Sequence, residues 1–250
     1  MAHINVARSS APKSARSTPA SLARPTTASR SPPARPHSPA TSTAPTGFLA
    51  TASLMLRSDA CIVNSPSRNA AAAYVADAND PEQLTATLGA VRERFGRIDV
   101  GYYGPAAFET APTEDIADLD ASGARAALNS VVPAVDFASQ LLPEMRERGS
   151  GGLLFAGGLS SVVPMPPLGG LALAAAALRN YAITLHAALR PVGVYAGTIT
   201  TGGLIERGDI HRAMAGDAEL PTINPDELAE QAWGLYRDGT EAEAVINLLS

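Results

Sequence analysis

Side chains with catalytic or metal-binding chemistry are sparse in this chain. Cys61 is the only cysteine, which excludes an internal disulfide framework and any multi-cysteine metal site and favours a buried thiol. His186 and His211 have no carboxylate partner at ligand spacing, so no metal site is predicted. Lys13 is the only lysine, and residues 14–250 therefore contain no ammonium side chain that could assist proton transfer.

The elements that would position a site belong to only part of the chain. Residues 1–46 contain eight prolines, nine serines and six threonines and show no apolar periodicity. Proline excludes helices and central strands, and such a segment buries too little apolar surface to offset its ordering entropy. We predict that residues 1–46 are disordered. Residues 1–58 carry seven basic and no acidic residues, whereas residues 59–250 carry all 24 acids against 12 arginines, which argues against nucleic-acid binding by that part.

Three explanations of residues 1–46 remain open. Arginine, serine and the absence of acids suit an organelle transit peptide, but the prolines would break the amphipathic helix of a mitochondrial signal. A basic arm for nucleic acid is the second, although its charges are spaced singly and lack aromatic neighbours. The third is a gene translated in the wrong frame, which accounts for a patterned sequence that begins abruptly near Ala70. Comparison of the three reading frames of the coding DNA separates these explanations.

Residues 47–69 form a connector in which Phe48–Leu56 and Ala60–Val63 could each form a short strand. From residue 70 onward, strands alternate with helices. We predict strands at 74–76, 98–104, 152–156, 192–199 and 244–249, and helices that begin at Asp80, Ser122, Leu171 and Asn224. The helix over 122–148 contains Pro133, where we expect a bend.

Such alternation predicts an α/β protein with a doubly wound, Rossmann-like parallel sheet in a domain over residues 70–250. The first strand–helix–strand unit is missing or is replaced by the disordered segment. Loss of its strands would leave the strand at 98–103 with an unpaired apolar edge. We therefore expect poor solubility unless residues 47–64 fill the gap.

Several stretches in this domain resemble the short-chain dehydrogenase/reductase family in order and spacing. VADANDPEQL is similar to the third strand with its acidic residue, and VRERFGRIDV to the helix and strand that follow. QLLPEMRERGSGGLLFAGGLSS resembles the interface helix and the strand that bears the catalytic serine. LALAAAALRNYAITLHAALRPVGVYAGTIT resembles the helix with the Tyr-x-x-x-Lys motif and the next strand. The resemblance implies an NAD(P)-dependent oxidoreductase of alcohols and carbonyls.

The catalytic positions that the resemblance implies are occupied by residues without the required chemistry. Leu171 stands at the position of the family's tyrosine, Ala175 at that of its lysine and Gly158 at that of its serine. Ser160, two residues further on, is a possible remnant. Loss of the general acid/base is expected to reduce the rate by about 10²–10⁴. The asparagine of the family's long helix falls at Ser130, with Asn129 one residue away as a second possible remnant.

The cofactor side of the resemblance is also incomplete. No glycine-rich phosphate loop follows any strand in the first third, where Gly47 is the only glycine before Gly89. Phosphate anchoring at a helix N-terminus is therefore not predicted. The resemblance places the remaining contacts to NAD or NADP at five residues: Asp77, Gly104, Thr200, Thr201 and Gly202.

Three functions follow as alternatives. The first is a short-chain oxidoreductase with impaired activity, and the second is a non-catalytic dimerising or small-molecule-binding relative. The third is the product of a frame-disrupted gene. For partners we predict no nucleic acid, no membrane, and a homodimer or heteromer through helices 122–148 and 171–189, which form the family's dimer interface. No apolar run approaches the ~20 residues of a membrane span, and we expect a cytoplasmic protein.

Overall fold

The computed structural model describes residues 2–7, 60–65, 70–105, 114–214 and 221–249 of the chain. Its strands are β1 (Ala2–Ala7), β2 (Ala60–Ser65), β3 (Ala70–Val75), β4 (Val100–Pro105), β5 (Gly152–Gly158), β6 (Tyr195–Gly202), β7 (Leu204–Ile205), β8 (Thr222–Ile223) and β9 (Glu243–Asn247). Its α-helices are α1 (Pro81–Phe95), α2 (Ala121–Asn129), α3 (Val132–Arg148), α4 (Gly169–Leu189), α5 (Asp209–Met214) and α6 (Pro225–Asp238).

Seven of these strands form one sheet in the order β3-β2-β1-β4-β5-β6-β9, and β7 pairs with β8 in a small second sheet. Strands β4, β5, β6 and β9 are all parallel, as predicted. The other part of the sheet differs. β1 is parallel to β2 but antiparallel to β4, and β2 is antiparallel to β3. The sheet is therefore mixed, because its β3-β2-β1 part does not follow the direction of the parallel strands.

Helices cover both faces of the sheet, which confirms the doubly wound α/β class. On one face α1, α3 and α4 bury a core that includes Leu153 and Phe155 of β5. On the other face α6 packs against a second core, to which the intervening Leu154 belongs. This two-residue alternation is the side-chain period of a strand buried on both sides.

Strands β1 and β2 occupy the centre of the sheet, where we expected a gap. The predicted strand at Ala60–Val63 is confirmed as part of β2, and the candidate strand at Phe48–Leu56 lies outside the described residues. β1 lies within the segment predicted to be disordered; residues 8–46 of that segment are outside the description. β1 pairs with β4 along the edge that we expected to be bare, because the peptide groups of a buried strand need partners.

Local sequence signals account for the helix boundaries. The side chain of Asp80 accepts hydrogen bonds from two main-chain N–H groups of the first turn of α1, and the side chain of Asn224 accepts one, from Asp226, at the start of α6. The helix predicted over 122–148 is two helices, because the helical conformation is interrupted between Asn129 and Val132. Pro133, which has no N–H, lies in the first turn of α3, where no intrahelical donor is needed.

Within the residues that the structure describes, one segment, Pro166–Val192, is long and apolar enough by composition to cross a membrane. It contains α4, which packs Leu178, Ala182 and Leu189 against the sheet. Polar residues such as Arg179 and Asn180 interrupt the segment, so it contains no uninterrupted apolar run of about 20 residues.

Candidate functional site

The carboxyl ends of the parallel strands form the edge at which ligands bind in open α/β sheets. β5 ends there at Gly158 and leads through a short 3₁₀ turn, Leu159–Ser161, towards α4. β6 ends beside it at Gly202. The structure thus brings Gly158, Ser160, Thr201 and Gly202 to one edge of the sheet.

Most hydroxyl groups at this edge are engaged by the main chain. Ser161 Oγ donates to the carbonyl of Gly158 at 2.8 Å, and Thr201 Oγ1 donates to the carbonyl of Gly157 at 3.3 Å. The third hydroxyl at this edge belongs to Ser160. Its Oγ lies 3.8 Å from the place that a Cβ at Gly158 would take. Ser160 is therefore the predicted remnant that lies beside the family's serine position.

Two positions of α4 carry hydrocarbon side chains, and they are the positions that the family resemblance aligns with the tyrosine and the lysine. Leu171 and Ala175 lie one turn apart on α4, and both are half-buried. Neither side chain can donate or accept a proton. Lys13, the single lysine of the chain, is outside the described residues.

Two further predicted remnants lie at the end of α2 on the protein surface. Asn129 is the last residue of this helix, and Ser130 follows it. Both residues are exposed, and Ser130 Oγ donates to the carbonyl of Ala127 at 2.6 Å. The hydroxyl of Ser130 therefore pairs with a carbonyl group at the end of α2.

The glycines predicted to approach a cofactor are instead in contact with side chains. A Cβ at Gly104 would lie 2.8 Å from the ring of Tyr102, and one at Gly202 would lie 2.4 Å from Leu159 Cδ2. Contacts below 3.0 Å are not tolerated without movement of the neighbour. At Gly202 the neighbours include Leu159 Cβ at 3.0 Å, so packing explains glycine there, whereas at Gly104 only the movable ring of Tyr102 is close.

Of the three predicted polar contacts, Asp77 and Thr200 are engaged within the protein, as Thr201 is. Asp77 Oδ1 accepts hydrogen bonds from the main-chain and side-chain amides of Asn79, each at 2.9 Å, which closes the turn after β3. Thr200 is buried, and its Oγ1 donates to Glu243 Oε1 at 2.8 Å.

Sequence reasoning missed the strongest polar cluster near the site, which consists of Arg179, Glu243 and Thr200. Arg179 lies one turn beyond Ala175 on α4 and donates to both carboxylate oxygens of Glu243, at 2.7 and 2.5 Å. The hydrogen bond from Arg179 lowers the pKa of Glu243; burial opposes this effect, and Thr200 adds to it. Glu243 opens β9, 64 residues away in sequence, so the only sequence signal was an isolated charge in an apolar helix.

Tyr102 and Tyr103 on β4 are packing groups. Burial raises the pKa of Tyr102 to about 12. Burial, followed by the charge of Asp77, also raises the pKa of Tyr103, whose ring packs against Phe137 and Phe155. Both phenols therefore stay protonated at neutral pH and cannot act as bases. Among the side chains that the structure describes, no group of three or more His, Cys, Asp or Glu residues is placed to hold a metal ion.

No protein-family model and no curated protein sequence matches the chain. Solved structures do match it. L-sorbose reductase from Gluconobacter frateurii, complexed with NADPH and L-sorbose, is 22% identical with a TM-score of 0.57, and the match covers 74% of this chain and 75% of that one.

Two other matches are more distant in sequence. An NADPH-bound short-chain oxidoreductase from Pseudomonas aeruginosa, described as containing an atypical catalytic center, is 16% identical with a TM-score of 0.59, covering 75% of this chain and 76% of that one. A short-chain dehydrogenase/reductase of unknown function from Caenorhabditis elegans is 16% identical with a TM-score of 0.57, covering 74% and 73%. The chain therefore has the fold of the short-chain dehydrogenases/reductases.

Proposed function

We propose that this chain is a short-chain dehydrogenase/reductase whose ancestral reaction, the NAD(P)-dependent interconversion of alcohols and carbonyls, is impaired. The shared fold and the family landmarks between residues 70 and 250 support the ancestry. The observation that carries the impairment is the pair of hydrocarbon side chains, Leu171 and Ala175, on the site-facing helix α4. Without a general acid/base the expected loss in rate is about 10²–10⁴.

The described residues also do not fit a pyridine nucleotide. The places that a cofactor would approach at Gly104 and Gly202 adjoin Tyr102 and Leu159, and the hydroxyl of Thr200 is bonded to Glu243. The part of the sequence before Gly89 contains one glycine, Gly47, so it has no glycine-rich phosphate loop. Loss of phosphate anchoring also removes the orientation of hydride donor and acceptor.

Two measurements on the purified chain test this proposal. NADPH is titrated while the nicotinamide fluorescence is recorded, and turnover is assayed on alcohols and carbonyls that include L-sorbose. We expect neither saturable binding nor nucleotide-dependent turnover. Turnover by the unmodified chain would overturn the proposal, and binding with micromolar Kd would overturn its cofactor part.

The variant L171Y/A175K separates the two defects. If the nucleotide binds after all, this variant should exceed the matched variant L171F/A175M by about 10²–10⁴ in rate. If the nucleotide does not bind, the two variants should be equally inactive.

A non-catalytic dimerising protein is the second candidate, and one surface favours it. Leu128 at the end of α2 and Val132 and Val135 at the start of α3 are 44%, 59% and 41% exposed. In the neighbouring apolar segment Pro166–Val192, only 22% of an 18-residue stretch is buried. Exposed apolar area of this kind marks interaction sites. It coincides with helices 122–148 and 171–189, through which we propose a homodimer or heteromer.

Sedimentation velocity tests the dimer. We expect the unmodified chain to sediment as a dimer and V132E/V135E as a monomer, because a charge buried at an interface is unfavourable. Q231E, on the exposed face of α6, is the matched control and should remain dimeric. A monomeric unmodified chain would exclude the homodimer, and capture of a full-length paralogue would then support the heteromer.

The third candidate is the product of a frame-disrupted gene, favoured by the monotony of residues 1–46. Its test is the coding DNA: the idea fails if no reading frame upstream of residue 70 encodes a glycine-rich strand–turn–helix. A cytoplasmic location and the absence of nucleic-acid and membrane partners remain parts of the proposal.

A further inference from the structure

Strand β6 carries two completely buried threonines, Thr198 and Thr200, each with 0% exposure. Side chains alternate along a strand, so both share the face of Ala196, which belongs to the core under α4. Burial of a hydroxyl group costs free energy unless the group finds a hydrogen-bond partner. Both hydroxyl groups therefore need partners inside the folded chain.

The two hydroxyl groups differ in this respect. Thr200 Oγ1 donates to Glu243 Oε1 at 2.8 Å, and Arg179 holds the same carboxylate. Thr198 Oγ1 has no hydrogen-bond partner among the residues that the structure describes. The main-chain N–H of Thr198 donates to the carbonyl of Ala242 at 2.9 Å, so the unpaired group is the side chain alone. A completely buried hydroxyl of this kind indicates a bound group that is not part of the chain.

A glycine on the neighbouring strand leaves space at the same place. Gly157 on β5 is the register partner of Thr200. A Cβ at Gly157 would have two heavy atoms within 4 Å apart from its chain neighbours, and both are hydroxyl oxygens: Thr198 Oγ1 at 3.7 Å and Thr200 Oγ1 at 3.9 Å. We call the space beside Gly157, Thr198 and Thr200 the threonine pocket.

We infer that the threonine pocket binds a single water molecule. Polar internal spaces hold water, and a buried water needs about two to four polar partners. Thr198 has a hydroxyl proton with no other acceptor, and it donates this proton to the water. Thr200 gives its own proton to Glu243, so the lone pairs of its oxygen remain free to accept from the water.

The bound water extends the polar cluster of Arg179, Glu243 and Thr200 to the middle of the sheet. Hydrogen bonds then run from Thr198 through the water to Thr200, and from there to Glu243 on β9 and Arg179 on α4. The water thus helps to join β6 to the outer strand and to the helix above it. Its removal should weaken this part of the fold, because it leaves the hydroxyl of Thr198 buried without a partner.

The variant G157A separates a hydrated pocket from a dry one. A methyl group at this position makes only ordinary contacts with the two oxygens, so in a dry pocket it should be tolerated as well as the matched control G158A, whose Cβ would meet only Ser160 Oγ, at 3.8 Å. In a hydrated pocket it expels the water. We expect G157A to lower the Tm by at least about 2–4 °C relative to G158A. Equal Tm values for the two variants would overturn the inference.

The variant T198V shows whether the hydroxyl of Thr198 is responsible. Valine keeps the shape of the side chain and removes the group that binds the water. The decrease in Tm that G157A causes should therefore be clearly smaller in T198V than in the unmodified chain. The same decrease in both backgrounds would contradict the inference, because the effect of G157A would then be independent of the hydroxyl.

The water can also be observed directly in the full chain. A high-resolution crystal structure should show a water oxygen about 2.5–3.0 Å from Thr198 Oγ1 in the unmodified chain and none there in G157A. In solution, ¹⁷O relaxation dispersion detects long-lived waters and should find one fewer in G157A than in G158A. A hydrogen bond from Thr198 Oγ1 to a protein group, or equal numbers of long-lived waters in the two variants, would overturn the inference.

Discussion

The two parts of the large sheet are built in different ways. Strands β4, β5, β6 and β9 are parallel and are covered by α1, α3 and α4 on one face and by α6 on the other. Strands β1, β2 and β3 are joined to them through one antiparallel pairing, between β1 and β4. In the first part the strands run in the same direction, because helices connect each strand to the next. In the second part β1 pairs antiparallel with the edge of β4.

The described core residues lie mostly on the parallel strands and on the helices that cover them, and the β3-β2-β1 part completes the sheet with mixed strand directions. A buried edge strand needs hydrogen-bonding partners, but either strand direction can provide them. Substitutions in the parallel part, at its carboxyl edge, at its outer edge strand and at the junction of the two parts test this difference.

The largest effect is expected in the core of the parallel part. Phe155 on β5 is fully buried and packs against Tyr103 and Tyr181. F155A should lower the free energy of unfolding by about 3–5 kcal/mol through lost burial and a cavity. F155L, which keeps most of the volume, should cost less than about 1.5 kcal/mol. Urea unfolding measures both, and a loss below 1 kcal/mol for F155A would show that this core does not dominate stability, against the estimate of about 3–5 kcal/mol.

A smaller effect is expected at the carboxyl edge. G202A would place a methyl group against Leu159, and overpacking of this kind typically costs about 1–3 kcal/mol. G89A is the matched control, because a Cβ at Gly89 in α1 meets nothing within 4 Å. It should stabilise the protein by about 0.5–1 kcal/mol through helix propensity. Equal effects of the two substitutions in thermal unfolding would remove the packing explanation of Gly202.

Glu243 should make the attachment of the outer strand β9 depend on pH. The pKa of Glu243 is lowered in the folded protein. Its contribution to the free energy of unfolding is therefore complete above the ordinary pKa of about 4.3 and is lost as the pH falls through the lower pKa of the folded state. E243Q should lower the free energy of unfolding at pH 7 by about 1–2 kcal/mol and flatten its decrease below pH 4.5. Glu241 is exposed, and E241Q is therefore the control. An unchanged acid limb in E243Q would contradict the assignment.

The smallest effect is expected at the junction, where α1 leads from β3 to β4. Asp80 accepts hydrogen bonds from the amides of Glu82 and Gln83, which lower its pKa. D80A should lower the midpoint of unfolding, and D80N, an equally good cap, should lower it little. Guanidinium unfolding measures the pair, and equal losses would show that the cap does not hold α1.

Much of the parallel part was predictable from local patterns. Asp80 and Pro81 marked the start of α1, Pro133 marked the break before α3, and Asn224 marked the start of α6. These signals depend only on residues a few positions apart, so they can be recognised from the sequence without the fold. The antiparallel pairing of β1 with β4 was not predictable, since it joins residues 2–7 to residues 100–105 and depends on an edge that exists only in the folded sheet.

The candidate site shows the same division. The sequence by itself determined that Leu171 and Ala175 cannot transfer a proton, because the chemistry of a hydrocarbon side chain does not depend on the fold. Only the tertiary structure decided that Glu243 binds Arg179 and Thr200 and that Leu159 packs on Gly202. Contacts between residues tens of positions apart arise from the packing of strands and helices, and no local pattern specifies which distant side chain will fill a given space.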